Sequence, residues 1–121
     1  MNPIDPRQFT IEAARILSDD KCEDVIILDL RGKSSVTDYF VIATGTSDRQ
    51  MFATADHIDE YAHKIGLRLF KNKRLDSEVW VLMDYIDVVI HVFDGEHREY
   101  YDLELLWGDA PKVDWARSES A

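Results

Sequence analysis

The chain has 121 residues, 45% hydrophobic and 31% charged, with a formal net charge of −10. This length suits one globular domain and is sufficient to bury a core without staples. Cys22 is the only cysteine, which excludes intrachain disulfides and cysteine-based zinc sites; no apolar run is long enough to cross a bilayer; and the acidic excess argues against broad nucleic-acid binding, which depends on Lys and Arg neutralising phosphates.

The first residues, Met1-Asn2-Pro3-Ile4, lack a basic region followed by an apolar core, so no secretory leader is expected and a cytoplasmic location fits. Asp5-Pro6-Arg7-Gln8 reads as a helix start: Asp5 caps, Pro6 suits the first helical position and Gln8 reaches back. Phe9, Ala13, Ile16 and Leu17 then recur at helical spacing, which predicts a helix over 6–20. Val25 to Leu30 is β-branched and predicts a strand. The loop Arg31-Gly32-Lys33-Ser34-Ser35 holds a Gly-Lys-Ser, but a phosphate-binding loop needs an upstream glycine where this chain has Ile27. Asp38 to Thr44 predicts a second strand, apolar enough to be buried on both faces.

Gly45-Thr46-Ser47 turns the chain into a second helix, with Ser47 and Gln50 as a capping box. Met51, Ala55, Ile58, Ala62 and Ile65 make its apolar face, and Gly66 ends it. Short strands are predicted over 67–70, 78–84 and 87–93, the last two joined by a tight hairpin at Tyr85-Ile86, although neither residue favours a turn. Residues 96–107 return to helical spacing, Gly108 stops them, and the polar residues 112–121 read as a loose tail beyond a single domain of residues 1–111. The predicted fold class is α/β: a mixed sheet of about five strands with two long helices packed against it.

Candidate chemistry is sparse. Asp59 and His63 share a helix face, but two ligands do not close a metal site, so no metal is expected. Cys22 follows a helix C-terminus, where the dipole raises a thiol pKa, and is a poor nucleophile. Gly45-Thr46-Ser47 at a helix N-terminus is a possible phosphate cradle for nucleotidyl transfer. That chemistry also needs clustered carboxylates for magnesium, and no Asp-x-Asp pair lies on a strand near the turn. No catalytic residue and no cofactor is therefore expected. One charge run stands out: Lys64, Arg68, Lys71, Lys73 and Arg74 have no acid between them. Such runs are usually solvated faces, and the sharper reading is a patch touching RNA or an acidic neighbour.

Trp80-Val81-Leu82-Met83-Asp84-Tyr85-Ile86-Asp87-Val88-Val89-Ile90-His91-Val92-Phe93, followed by Arg98-Glu99-Tyr100-Tyr101-Asp102-Leu103-Glu104-Leu105-Leu106-Trp107-Gly108-Asp109-Ala110-Pro111, closely resembles the ribosomal silencing factor family, also called the Iojap family. Ser34 to Ile42, Gly45-Thr46-Ser47 with Arg49, and Ala55-Asp56-His57-Ile58 match it too, so the resemblance covers about residues 9–111. It implies a nucleotidyltransferase-like topology without catalytic residues. It implies binding to the large ribosomal subunit through the protein numbered fourteen of that subunit, so that subunit joining is blocked and translation is repressed when nutrients are scarce. Organellar relatives assist large-subunit assembly, the alternative role.

The acidic charge has the right sign for a basic ribosomal protein. The expected partner contacts are Trp80, Asp84, Asp87, His91, Tyr101 and Glu104, with Lys71, Lys73 and Arg74 facing ribosomal RNA. For His91, alternation along its apolar strand also allows a half-buried residue bonded to a neighbour. The apolar strands from Val79 to Phe93 suggest a homodimer off the ribosome. Two departures from the family pattern stand out: Ile86 replaces a usual glycine, and a Glu-Gly pair is missing from the loop before Trp80.

Overall fold

The computed structural model describes residues 5–75, 80–96, 98 and 107–116, and of residues 73–75 the backbone alone. The elements run α1 (Pro6–Asp19), β1 (Glu23–Asp29), β2 (Tyr39–Gly45), α2 (Asp48–Lys64), β3 (Lys71–Leu75), β4 (Trp80–Asp84) and β5 (Val88–Asp94). The strands form one sheet in the order β1-β2-β5-β4-β3. β2 and β5 are parallel and every other pair is antiparallel, giving the mixed five-stranded sheet with two helices that the sequence predicts.

Both helices pack on one face of the sheet. Phe9, Ala13, Ala14 and Leu17 of α1 and Met51, Ala55, Ile58 and Ala62 of α2 join one buried cluster with Ile27, Val41, Ala43, Val81, Met83, Val88, Ile90 and Val92. Those strand residues alternate along the chain, as a two-residue period requires. Within the strands from Val79 to Phe93, Val81, Met83, Val88, Ile90 and Val92 lie under the helices and serve the core.

Local chemistry sets the helix ends. The Asp5 carboxylate accepts from the Arg7 amide at 3.0 Å with Pro6 behind it. Gln8 does not reach back; its amide donates to Glu12 one turn on. At α2 the Ser47 hydroxyl accepts from the Gln50 amide at 3.1 Å, but Gln50 closes the box one residue early, on the Thr46 amide. α2 ends in a Schellman motif: Leu67 N–H bonds Ala62 O at 2.8 Å, Gly66 N–H bonds His63 O at 3.1 Å, and Gly66 sits at φ +83°. Gly45 serves packing instead. A Cβ there would meet Met51 Cγ at 2.2 Å, so glycine lets the first turn of α2 lie against the end of β2.

Three expectations shift. The strand expected over 67–70 forms at Lys71–Leu75, so the run expected as a basic loop is an edge strand paired with β4. Residues 112–116, expected in a loose tail, lie along the free edge of β1. Asp29 N–H bonds Pro111 O at 2.8 Å and Val113 N–H bonds Ile27 O at 3.0 Å, while the Trp115 indole donates to Val25 O at 2.9 Å. Val113 is buried there, and Arg15 holds Trp115 O from α1 at 3.0 Å. The helix expected over 96–107 lies mostly outside the described residues.

The third shift is the β4–β5 turn, which falls one residue later than expected. Tyr85 N–H bonds Val88 O at 2.8 Å and Asp87 N–H bonds Tyr85 O at 3.0 Å, a three-residue γ-turn centred on Ile86 at φ +75°. A β-branched side chain is strained in that region, which glycine occupies freely. Ile86 is 56% exposed, so little burial offsets the strain. Ile86→Gly is expected to raise the unfolding free energy by about 1 kcal/mol, the relief of a left-handed residue less glycine's extra chain entropy. Ile86→Ala, which keeps a Cβ, is expected to gain little. Urea titration of the three proteins measures this, and a loss of stability in Ile86→Gly contradicts the turn assignment.

Candidate partner-docking face

The face of the sheet opposite α1 and α2 carries Phe40, Trp80, His91 and Phe93. Leu28, Leu30, Ile42, Phe93 and Ala110 form a second buried cluster, with Ile26, Phe40, Trp80 and Trp107 packed partly exposed around it. Beyond β5, Trp107 and Ala110 pack on the β1–β2 half of this face, and Arg98, which sequence reasoning did not single out, reaches β1 and β2. The Arg98 guanidinium donates to Asp24 O at 2.5 Å and to Thr44 Oγ1 at 2.9 Å, and Arg98 is only 9% exposed. A lone arginine in a polar stretch carries no local signal of this role.

Trp80 sits at the start of β4, opposite Phe93. Its ring lies 4.9 Å from Phe93 and 5.7 Å from His91 between centroids, and its indole N–H donates to His91 Nδ1 at 3.1 Å. His91 is two residues from Trp80's register partner, the diagonal at which long side chains meet across antiparallel strands. An indole nitrogen only donates, so Nδ1 accepts and the neutral ring keeps its proton on Nε2. That Nε2 is buried with no hydrogen-bond partner among the described residues. Burial holds the His91 pKa well below its ordinary value. At 4% exposure His91 is not the surface contact expected from the sequence; it is the support that fixes the Trp80 ring.

Asp84 and Asp87 lie at the other end of β4, at the hairpin, away from Trp80. One Asp84 carboxylate oxygen accepts from the Ile86 amide at 2.7 Å and so holds the turn. The Asp87 side chain stays exposed, while its carbonyl takes the Asp38 and Tyr39 amides. Between them Tyr85 turns inward, packing edge-on against Phe9 and donating to Asp59 Oδ1 at 2.9 Å. The hairpin is thus anchored to both helices, and Asp59 is committed to it rather than to a metal with His63. Lys71 is the register partner of Asp84, which sets it on Trp80's side of the sheet, and the backbones of Lys73 and Arg74 pair with Leu82 and Val81. Tyr101 and Glu104 lie outside the described residues.

The sequence alternative, a phosphate cradle at Gly45-Thr46-Ser47, does not assemble. Thr46 N–H is taken by Gln50 Oε1 and the Ser47 hydroxyl by the Gln50 amide. No three His, Cys, Asp or Glu side chains gather among the described residues in a way that suits a metal ion. Cys22 is buried and its thiol pKa is raised to about 11, chiefly by desolvation. No helix among the described residues is long and apolar enough to cross a membrane.

Comparison with known proteins gives a consistent result. The profile of the family described as "Ribosomal silencing factor during starvation" matches residues 3–121. A ribosomal silencing factor from Bacillus subtilis is 46% identical over 102 residues, spanning 84% of this chain and 86% of that protein. A mouse protein named for mitochondrial assembly of the ribosomal large subunit is 30% identical over 95 residues, 76% of this chain and 42% of that protein. A crystal structure from Chromobacterium violaceum superposes with a TM-score of 0.81 at 32% identity, covering 97% of each chain.

The buried, neutral His91 has a measurable consequence. A histidine whose folded pKa is depressed contributes stability that is complete above its unfolded pKa near 6.5 and is lost as the pH falls toward the folded value. Between pH 7 and pH 5 the wild-type chain is expected to lose roughly 2 kcal/mol through this group, a loss absent from His91→Phe. The other histidines are common to both proteins and cancel in the difference. His57, raised by its 2.7 Å pairing with Asp20, acts in the opposite sense, and weakly because it is half exposed. Denaturant unfolding across that pH window tests this; parallel curves for the two proteins contradict it.

Proposed function

The chain belongs to the ribosomal silencing factor family, and from that membership we propose that it represses translation without catalysis, by occupying the large ribosomal subunit where the small subunit would join. The observation that carries this reading is the family match over nearly the whole chain, including the hairpin and the Trp80 face. The partner is the basic protein numbered fourteen of the large subunit. Three features support that choice: the formal charge of −10, the partly exposed Trp80 held by His91, and the exposed Asp87 at the hairpin. Aromatic anchors beside complementary charge are what such interfaces use. Joining fails sterically, so no bond is made or broken.

A second reading, help in assembling the large subunit, is favoured by the name of the mouse relative. It differs in which particles carry the protein: immature precursors rather than finished subunits.

Adding the purified chain to separated subunits is expected to leave them separate in a sucrose gradient, with the chain comigrating with the large subunit. Unchanged joining together with no comigration would falsify the silencing role. Trp80→Ala is expected to weaken comigration by at least about tenfold, the effect of removing an aromatic anchor. Glu104→Lys is expected to weaken it too, through charge reversal. Circular dichroism of each variant separates lost contact from lost fold. Normal binding by both variants moves the interface elsewhere.

A further inference from the structure

Between the Schellman turn and β3 the chain alternates. Leu67 and Leu69 pack against the helix-side core, while Arg68 and Phe70 stay exposed. Phe70 is 63% exposed and joins neither core cluster. Its neighbour Lys71 holds its ammonium 5.9 Å from the centre of the Phe70 ring. Lys64, Arg68 and Lys71 are all exposed, and among the described residues none of them has a carboxylate within ion-pair distance. In a chain with 24 acidic residues, Lys71 at the ring and Arg68, two residues before Phe70 on the same side of the alternating segment, need a reason.

Protection of the sheet edge accounts for part of it. Lysine on an exposed edge strand discourages pairing with another chain. It does not account for Phe70, because a bare aromatic beside an open edge favours the association that lysine opposes. A ring flanked by free cations instead matches the way proteins hold single-stranded nucleic acid, with a base stacked on the aromatic and the backbone phosphates on Lys and Arg. An acidic peptide would satisfy the cations but bring carboxylates against the negative face of the ring.

We propose that Phe70, with Arg68 and Lys71, is a stacking platform for an unpaired RNA base and its flanking phosphates. The proposal deepens the silencing reading and rests on it for the source of the RNA, the large subunit. Phe70 anchors the base, and Lys71 and Arg68 take the adjoining phosphates. The local patch is small and the rest of the chain is acidic, so the contact is confined to a few nucleotides and depends strongly on salt.

The test uses the full chain and a fluorescein-labelled, unstructured ten-nucleotide RNA, followed by anisotropy at about 50 and 200 mM salt, concentrations that bracket strong and weak phosphate binding. Phe70→Ala is expected to weaken binding about tenfold, and Phe70→Trp to restore it. Lys71→Gln is expected to lower the slope of affinity against salt by about 0.7 in logarithmic units. Three results overturn the proposal: no binding to the RNA at the lower salt, equal binding by Phe70→Ala, or equal competition by polyglutamate or by the same sequence as a duplex. If the chain comigrates with large subunits yet fails these RNA assays, this inference falls alone. If RNA binding persists while comigration is absent, the silencing reading falls instead.

Discussion

β5 lies between β2 and β4 and runs parallel to β2, with Val41 opposite Ile90 and Ala43 opposite Val92. That one parallel pairing organises the molecule. Parallel neighbours cannot be joined by a tight turn, so the chain must leave the sheet after β2 and return by a long connection. Here the connection contains α2 and then β3 and β4. It brings α2 back across the same face that α1 covers and leaves the opposite face to be closed by the chain beyond β5. The apolar alternation of β2, β4 and β5 then has two destinations: Val41, Val81, Ile90 and Val92 under the helices, Ile42 and Phe93 on the other side. On the face opposite α1 and α2, Trp107 meets Phe40 at 6.3 Å and Ala110 joins the cluster. Trp80, partly exposed, packs on the same cluster at the start of β4.

The candidate contact residues have two supports. At one end of β4, Trp80 is oriented by a buried, neutral histidine. At the other, Asp84 and Tyr85 brace a turn that Ile86 strains. A docking surface benefits from such rigidity, because ordering loops and side chains on binding costs affinity. The strain at Ile86 lies within two residues of both candidate acids, and residues held in unusual backbone conformations persist where the surrounding structure over-determines them. Here Tyr85, fixed between Phe9 and Asp59, and the Asp84 carboxylate supply that determination.

Much of this was legible from the residues. The caps at Asp5 and Ser47, the apolar faces of both helices, the C-terminal glycine of α2 and the alternation that sets His91 opposite Ile90 follow from local rules and hold in the structure. The features that escaped depend on partners distant in sequence. Lys71-Asn72-Lys73-Arg74 has the polarity of a loop, and becomes a strand because β4 offers it a ladder. Residues 112–116 mix charged and apolar side chains without a strand pattern, and lie along the sheet because β1 has a free edge and Trp115 finds Val25 O. Ile86 carries no turn signal, since its conformation is imposed by Asp84, Tyr85 and Asp38 around it. The Trp80–His91 bond was hidden for the same reason: it is a diagonal across strands, and alternation fixes the face of each residue but not the register between them.

The central claim is that the partner meets the side of β3 and β4 opposite α1 and α2, together with the hairpin, while α1 and α2 serve only the core. Hydrogen–deuterium exchange of the chain, alone and bound to purified large ribosomal subunits, tests it most directly. New protection is predicted in peptides spanning residues 71–75 and 80–87, with α1 and the outer face of α2 unchanged. Protection concentrated on α1 and α2, with the β3–β4 peptides unaltered, would contradict it.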